Sequence, residues 1–466
     1  NCSSMSSSDK AKGPGGSALT SPAVSTDSDE GGAPLVGTMP DSFVRDTIKD
    51  RWPVILTQLV DHIHTNRMMF IDEFGEEIDA ELNGVINKLS ELRYRIATDK
   101  PLVEIREDDD DAALWNAKME EYDKEFGGRD VVTWFQTPWL FVECLMYRLF
   151  KSYVYSCPAI QSFDWFGQSK REAFDSHKEQ VMQVVYHLFA CSNDLELTPA
   201  HVRRTTIEFM KMSLWGNKCD LSLSAGATVV HSTNPIYIAN NSDHMLIVND
   251  ADRAFDQYIA KLTPRNGARR IDYILDNAGL ELAVDLFFIE FMLKARLVDK
   301  VVMHGKAFPW FVSDVTESDL KFTLNQLKEM DTTARTIIHK FNLRMTTGEL
   351  SFKAHPFWTR WYTFDEMKNN ARDLYDEIND NSSLIIGKGD LNYRKLVRDR
   401  AWAWNVDVKK AMGNVGLPPI LALRTCKSET LVGLPEDRLD WVANTMPVDD
   451  RKWLCTGDYG VIQLFE

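Results

Sequence analysis

Four stretches of this chain run from apolar residues straight into groups able to do chemistry. Ile271–Leu275 ends on Asp276-Asn277, and Val301–Met303 ends on His304-Gly305-Lys306, with Ser313-Asp314 soon after. Leu384–Ile386 ends on Gly387-Lys388-Gly389-Asp390, and Ile420–Leu423 on Arg424-Thr425-Cys426-Lys427. Asp276, Asn277 and Asp314 offer carboxylate and amide oxygens, the donors that suit Mg²⁺ or Mn²⁺ rather than a thiolate-loving metal. Asp390 is a further acid. Lys388, Arg394, Arg424 and Lys427 offer charge-assisted donors for phosphate oxygens. A divalent metal beside cationic donors fits phosphoryl chemistry, in which the metal polarises an oxygen or activates water and the cations stabilise developing charge. Each group also has a plainer reading. Asp and Asn just ahead of Leu282, Leu286, Ile289 and Leu293, which fall at helical spacing, suit a helix N-cap. Any single Lys or Arg suits a solvated loop. The repetition at several run ends is what favours a site.

Trp215-Gly216-Asn217-Lys218-Cys219-Asp220 follows a helical pattern and leads into a region of different character. Gly216 suits a helix stop. Asn217 and Asp220 could equally reach into a crevice at the junction, a common place for ligands. Cys219 reads as a packed thiol, since no basic partner is evident. His304 and His355 are isolated and read as structural. The chain contains no GxxxxGKS/T phosphate loop, no GxGxxG after a strand, no HExxH and no GxSxG.

For the polar run ends to meet, the runs must be neighbouring strands. Short apolar runs at Met245–Val248, Ile271–Leu275, Val301–Met303, Leu384–Ile386, Ile420–Leu423 and Val461–Phe465 are separated by amphipathic segments such as Glu317–Leu327 and Asp365–Ile378. Strand and helix in alternation predict an α/β layer with a largely parallel sheet, whose strand ends would gather these groups at one edge. Before residue 216 the pattern is helical instead. Ile55, Leu59 and Ile63 follow Pro53 at helical spacing; Leu82, Val85, Leu89, Leu92 and Ile96 repeat it; so do Phe141, Leu145 and Leu149, and Val181, Val185 and Leu188. The opening residues are rich in Ser, Gly, Pro and Thr and predict a disordered tail. The expected organisation is a tail over 1–40, a helical N-terminal domain over 41–215 and an α/β core over 216–466. Since the chain opens on Asn1, Met5 is a candidate natural start.

Composition bounds the function. In 466 residues, 44% are hydrophobic and 26% charged, as in a soluble globular protein. A net charge of −16 argues against a general nucleic-acid binder, which needs a basic footprint. No apolar run reaches membrane-span length. Seven cysteines without a CxxC pair read as reduced thiols, which predicts a cytoplasmic or nuclear protein. The thirteen tryptophans and seventeen methionines are scattered, as in a packed core.

The motifs Trp215–Ser222, Leu275–Glu281, Pro309–Asp314, Lys388–Leu396 and Arg424–Lys427 resemble the damage-control phosphatases. The likeness is closest to the eukaryotic subfamily marked by Arg-Thr-x-Lys, also called acidic residue methyltransferase or protein-glutamate O-methyltransferase. It extends from Thr47–Arg51 and Pro138–Cys144 to Thr456–Gly460 and leaves out only the tail. The resemblance implies a Rossmann-like three-layer α/β/α core with a mainly helical N-terminal part. It implies a metal-dependent phosphatase of metabolite damage control, acting on sugar phosphates such as fructose 1-phosphate and fructose 6-phosphate. Mn²⁺ or Ni²⁺ would serve, with Mg²⁺ or Co²⁺ as further candidates. By its motifs Asp276, Asn277 and Asp314 hold the metal. Asp276, Asn277, Asp390, Leu391, Asn392, Tyr393, Arg394 and Lys427 hold the substrate, with Asp276 and Lys427 catalytic. The alternative it carries is an S-adenosylmethionine-dependent methylation of glutamate in a protein substrate, with Glu281 at the S-adenosylmethionine position. The glycine-rich turn such a nucleotide site needs is missing, because Gly279 stands alone. A scaffold that only binds protein is a third reading, drawn from the acidic surface and the tail.

Overall fold

The apolar runs become strands of one seven-stranded sheet. In chain order these are β1 Leu246–Asn249, β2 Arg270–Ile274, β3 Lys300–Gly305, β4 Leu350–Ala354, β5 Ser382–Lys388, β6 Ile420–Thr425 and β7 Gly460–Phe465. The structure is a computed structural model and describes residues 32–106, 111–192, 197–216, 234–446 and 451–466. Across the sheet the order is β1-β7-β6-β5-β2-β3-β4. Strands β2 to β6 are mutually parallel, while β7 runs antiparallel to β6 and pairs in parallel with β1. Every residue of β2, β6 and β7 is buried, which is why these strands read as apolar runs. β4 was not anticipated. It is an edge strand, Leu350-Ser351-Phe352-Lys353-Ala354, half-exposed along most of its length, so no apolar run marks it.

The stretch β4-β3-β2-β5-β6-β7 has the doubly wound order 3-2-1-4-5-6, with β2 as first strand. The order reverses between β2 and β5, and a crevice opens there beyond the carboxyl ends of the strands. The register aligns those ends: Ile274 lies opposite His304 of β3 and Gly387 of β5, and Lys388 lies opposite Leu423 of β6. The polar residues just after each strand therefore emerge side by side.

Helices cover both faces. From the N-terminal part come α1 Trp52–Thr65, α2 Ile78–Ala97, α3 Ala112–Phe126 and α4 Trp139–Tyr155. They share one core with Ile274, Ile385, Ile420 and Ala422. Next come α5 Lys178–Cys191, α6 Pro199–Gly216 and α7 Leu280–Lys294, which share the second core with Ile271, Tyr273, Ile386, Leu421 and Leu423 on the opposite face. The alternation of strand residues between two cores is the period-two pleat, and the result is a three-layer α/β/α arrangement. The remaining labelled helices are α8 Glu317–Met330, α9 Thr332–Thr347 and α10 Gly389–Leu396. Among the described residues, no helix is long and apolar enough to cross a membrane.

Residues 32–466 belong to one compact unit, so composition changes near residue 216 without a break in packing there. The expected tail ends earlier than residue 40. Leu35 is buried, its N–H donates to Asp399 and its carbonyl accepts from Trp139, and Pro34 bridges Arg400. Residues 1–31 lie outside the described residues, as do Asn217, Cys219 and Asp220.

The cap reading of Asp276-Asn277 also needs correction. The N-cap of α7 is Gly279, at φ +77, and no side chain caps the helix. The chain leaving β2 first pairs with residues 313–315, which ties Asp276 and Asn277 to that segment ahead of the helix. Only at Gly279, in a conformation open to glycine, does it turn into the helix.

Candidate active site

Asp276, Asn277 and Asp314 are brought together by backbone pairing beyond the tip of β2. Val315 N–H donates to the Asp276 carbonyl at 2.8 Å, Ala278 N–H to the Ser313 carbonyl at 2.8 Å, and Asn277 bridges Asp314. To reach this position the chain takes positive φ at Phe311 (47°) and Val312 (69°). A left-handed β-branched residue is costly and rare, and such strain clusters at functional sites. The loop is clamped from the helical layer by Tyr147 of α4, which stacks on Phe311 at 4.8 Å.

Side chains fix the donors further. Ser313 Oγ donates to Asn277 Oδ1 at 2.5 Å, and Asn277 Nδ2 donates to Asp276 Oδ2 and Glu281 Oε2, both at 2.8 Å. Lys306 Nζ lies 3.0 Å from Asp314 Oδ2. The Asp276 carboxylate nests against the start of α10. A Cβ on Gly389 would fall 1.9 Å from Asp276 Oδ2, and Gly389 sits at φ +82. Glycine is required there for both reasons.

Asp390 heads α10 and is held from behind. Its Oδ1 accepts from Arg424 Nε at 2.7 Å, from the Lys427 N–H at 3.0 Å and from Ser428 Oγ at 3.1 Å. Arg424, fully buried, also donates to the carbonyls of Thr430 and Ser428 and stacks over Tyr393. Its role is to shape the Arg-Thr-Cys-Lys loop. Arg394 is likewise committed: it forks onto Asp399 at 2.8 and 3.0 Å, reaches Glu143 at 2.6 Å and lies 3.4 Å over the Trp139 ring. Lys388 is enclosed between Glu281 at 2.6 Å and Asp285 at 3.0 Å. Burial raises the Asp285 carboxyl to about 6 even with that lysine beside it.

A small cleft, open to solvent, collects most of the predicted residues: Asp276, Asn277, Asp314, Asp390, Leu391, Arg394 and Lys427. Asn392 and Tyr393 do not line it; they turn into the packing, bonded to the Lys388 carbonyl and to Gln463. Glu281 is buried, its two oxygens engaged by Lys388 and Asn277. Sequence reasoning passed over Arg51 and Glu143, which also line the cleft, and the rings of Phe43, Trp139 and Phe311, which form its apolar wall. A signal for Glu143 existed: it is the lone acid in the apolar run Trp139–Met146. Burial raises its carboxyl above the usual range despite the opposing pull of Arg394 and Arg51. No periodicity distinguished Arg51.

Four acids and three bases line the cleft, a formal charge of −1. One divalent cation would reverse that sign and make the cleft suitable for a phosphate group. Among the described residues no cluster of three or more His, Cys, Asp and Glu could hold a metal; the ligands expected from the sequence, Asp276, Asn277 and Asp314, would offer two carboxylates and an amide. Oxygen donors of that kind would suit a hard divalent ion.

A parallel-sheet crevice carrying two carboxylates, an amide and cations suits phosphoryl transfer. Residues 47–441 match the family model described as the damage-control phosphatase ARMT1-like domain. The chain is 35% identical over 434 residues to damage-control phosphatase ARMT1 of Danio rerio, covering 91% of this chain and 94% of that protein. It is 34% identical over 444 residues to its counterpart in Homo sapiens, covering 92% and 98%. A solved DUF89 family protein from Pyrococcus horikoshii covers 70% of this chain and 86% of its own at 16% identity, with a TM-score of 0.37, a likeness too slight to bear on function. The chain belongs to the damage-control phosphatase ARMT1-like family, and is by class a hydrolase, a phosphatase.

Proposed function

We propose that the protein is a metal-dependent phosphomonoesterase whose substrates are small sugar phosphates, fructose 1-phosphate and fructose 6-phosphate among them. The observation that carries this is the convergence of Asp276, Asn277, Asp314 and Lys427 in one cleft. Asp276, Asn277 and Asp314 would hold the ion, with Mn²⁺ or Ni²⁺ the favoured identities. A bound ion supplies charge neutralisation at the phosphoryl oxygens and lowers the pKa of a bound water. Lys427 lines the same cleft as Asp390, to which its backbone N–H donates at 3.0 Å, and its ammonium would stabilise negative charge on the transferring group. Asp390, locked by Arg424 and Ser428, can accept hydrogen bonds from sugar hydroxyls through its second oxygen. Phe43, Trp139 and Phe311 offer the ring of the sugar an apolar face and help exclude bulk water.

The methyltransferase reading has less support. Glu281, its proposed S-adenosylmethionine contact, has both oxygens engaged within the protein and does not line the cleft. Purified protein is expected to release inorganic phosphate from fructose 1-phosphate with Mn²⁺ and to lose at least about 100-fold in kcat/KM in Asp276→Ala. Undiminished activity in that variant would remove Asp276 from the metal site.

A further inference from the structure

We infer that Arg51, contributed by the N-terminal helical layer, binds the phosphate of the substrate; the inference rests on the phosphatase reading above. A phosphate dianion needs donors that are not already neutralised, and most basic residues near the crevice are. Lys388 is enclosed by Glu281 and Asp285, Arg394 by Glu143 and Asp399, and Arg424 by Asp390 and two backbone carbonyls. Arg51 lines the same cleft as Asp276, Asp314 and Lys427, and its Nε is buried with no hydrogen-bond partner among the described residues. Buried guanidinium N–H groups are ordinarily satisfied, and an exception in a cleft marks a place where a ligand supplies the acceptor. Glu143 does not serve as that acceptor. Its Oε2 takes Arg394 at 2.6 Å, and Arg51 acts on it only through space.

The backbone around Arg51 is built to hold it there. Thr47–Arg51 forms one π-helical turn, a rare irregularity that recurs at functional sites, and it leads directly into α1. The turn is pinned on both sides. Trp52, fully buried, packs edge-on against Trp134 at 6.3 Å. Phe43 N–H donates to Glu429 Oε1 at 2.9 Å, which ties this segment to the loop that carries Lys427. Arg51 and Lys427, from two distant parts of the chain, thereby line one cleft. The guanidinium, with its fork of donors, suits phosphate oxygens. On this account the helical layer closes the crevice from above and supplies a substrate contact of its own.

The test uses the full chain and three variants, Arg51→Ala, Arg51→Gln and Arg51→Lys. Inorganic phosphate binding is measured by titration calorimetry with Mn²⁺ present, and fructose 1-phosphate kinetics are measured in parallel. Arg51→Ala is expected to weaken phosphate binding and raise KM about 10- to 100-fold, with a smaller change in kcat and an unchanged melting temperature. Arg51→Lys is expected to recover part of the loss, which a purely structural role would not produce. If Arg51→Ala unfolds, Arg51→Gln carries the same expectation, since it keeps a polar chain of similar reach. Equal phosphate binding by the wild type and a folded variant overturns the inference, as does a wild type that binds no phosphate. A wild type that binds phosphate in an Arg51-dependent way but releases none from fructose 1-phosphate would instead fail the phosphatase reading and leave the Arg51 contact standing.

Discussion

Gly389→Ala subjects the arrangement of the crevice to its sharpest test. A Cβ at this position would lie 1.9 Å from Asp276 Oδ2, 2.1 Å from its Cγ and 2.6 Å from Oδ1, where ordinary contact begins at 3.4 Å. The carboxylate must therefore retreat by about 1.5 Å, and misplacing a reacting group by 1 Å costs roughly 100-fold in rate. Alanine at φ +82 adds backbone strain of about 1–2 kcal/mol, and crowding a packed site adds a similar amount. The expected outcome is a loss of about 2–4 kcal/mol in urea unfolding and a fall of at least about 100-fold in kcat/KM. Gly387, two residues earlier, is the internal control. It has no positive φ, and its added Cβ meets only Ile420 Cγ2 at 3.9 Å. Gly387→Ala should cost less than about 1 kcal/mol and leave kinetics near wild type. The reasoning is refuted if Gly389→Ala turns over within about threefold of wild type, or if the two alanine variants behave alike.

The buried charges carry two further expectations. Lys388→Met leaves Glu281 and Asp285 buried without their cation and should cost about 3–5 kcal/mol in urea unfolding, more at pH 8 than at pH 5 because protonation discharges Asp285, whose carboxyl burial already raises; a loss under about 1 kcal/mol would show the network to be dispensable. Lys395 is buried, donating to the carbonyls of Phe357 and Arg360, and burial pushes its ammonium down to about 7 from 10.5. Between those values the unfolded chain holds the extra proton, so raising the pH favours the folded state. The stability of wild type relative to Lys395→Met should therefore increase from pH 7 to pH 9, and a flat difference would refute the shift.

The central strands were legible because burial on both faces leaves its trace in composition: β2, β5 and β6 each read as an apolar run closed by polar residues. β4 and α9 were not anticipated. The first is a half-exposed edge strand whose Ser351 and Lys353 interrupt any run. The second buries only Ala334, Ile337, Ile338 and Phe341 along its length. Helix α3 went unread as well, although Trp115, Met119 and Tyr122 fall on one face.

For the site, residue type and strand-end position were enough to nominate Asp276, Asn277, Asp314, Asp390 and Lys427, because a parallel sheet delivers the residues beyond its strand tips to one edge. The role of each charge was beyond the sequence. Lys388, Arg394 and Arg424 looked like phosphate donors until their carboxylate partners were placed, and the Arg394–Glu143 pair spans 251 residues. Arg51 stood within a stretch shared with the family but nothing local marked it as a site residue, since its meaning depends on having been brought to the crevice with an unmatched donor. The Asp276-Asn277 step was ambiguous between cap and site for the same reason: the deciding contacts, from residues 313–315 and Gly389, come from other strand ends. The sequence by itself determined which chemistry the strand tips could offer, through local pattern and residue type. Tertiary structure alone decided which charges are neutralised and which face a ligand, because electrostatic compensation acts through space between residues far apart in the chain.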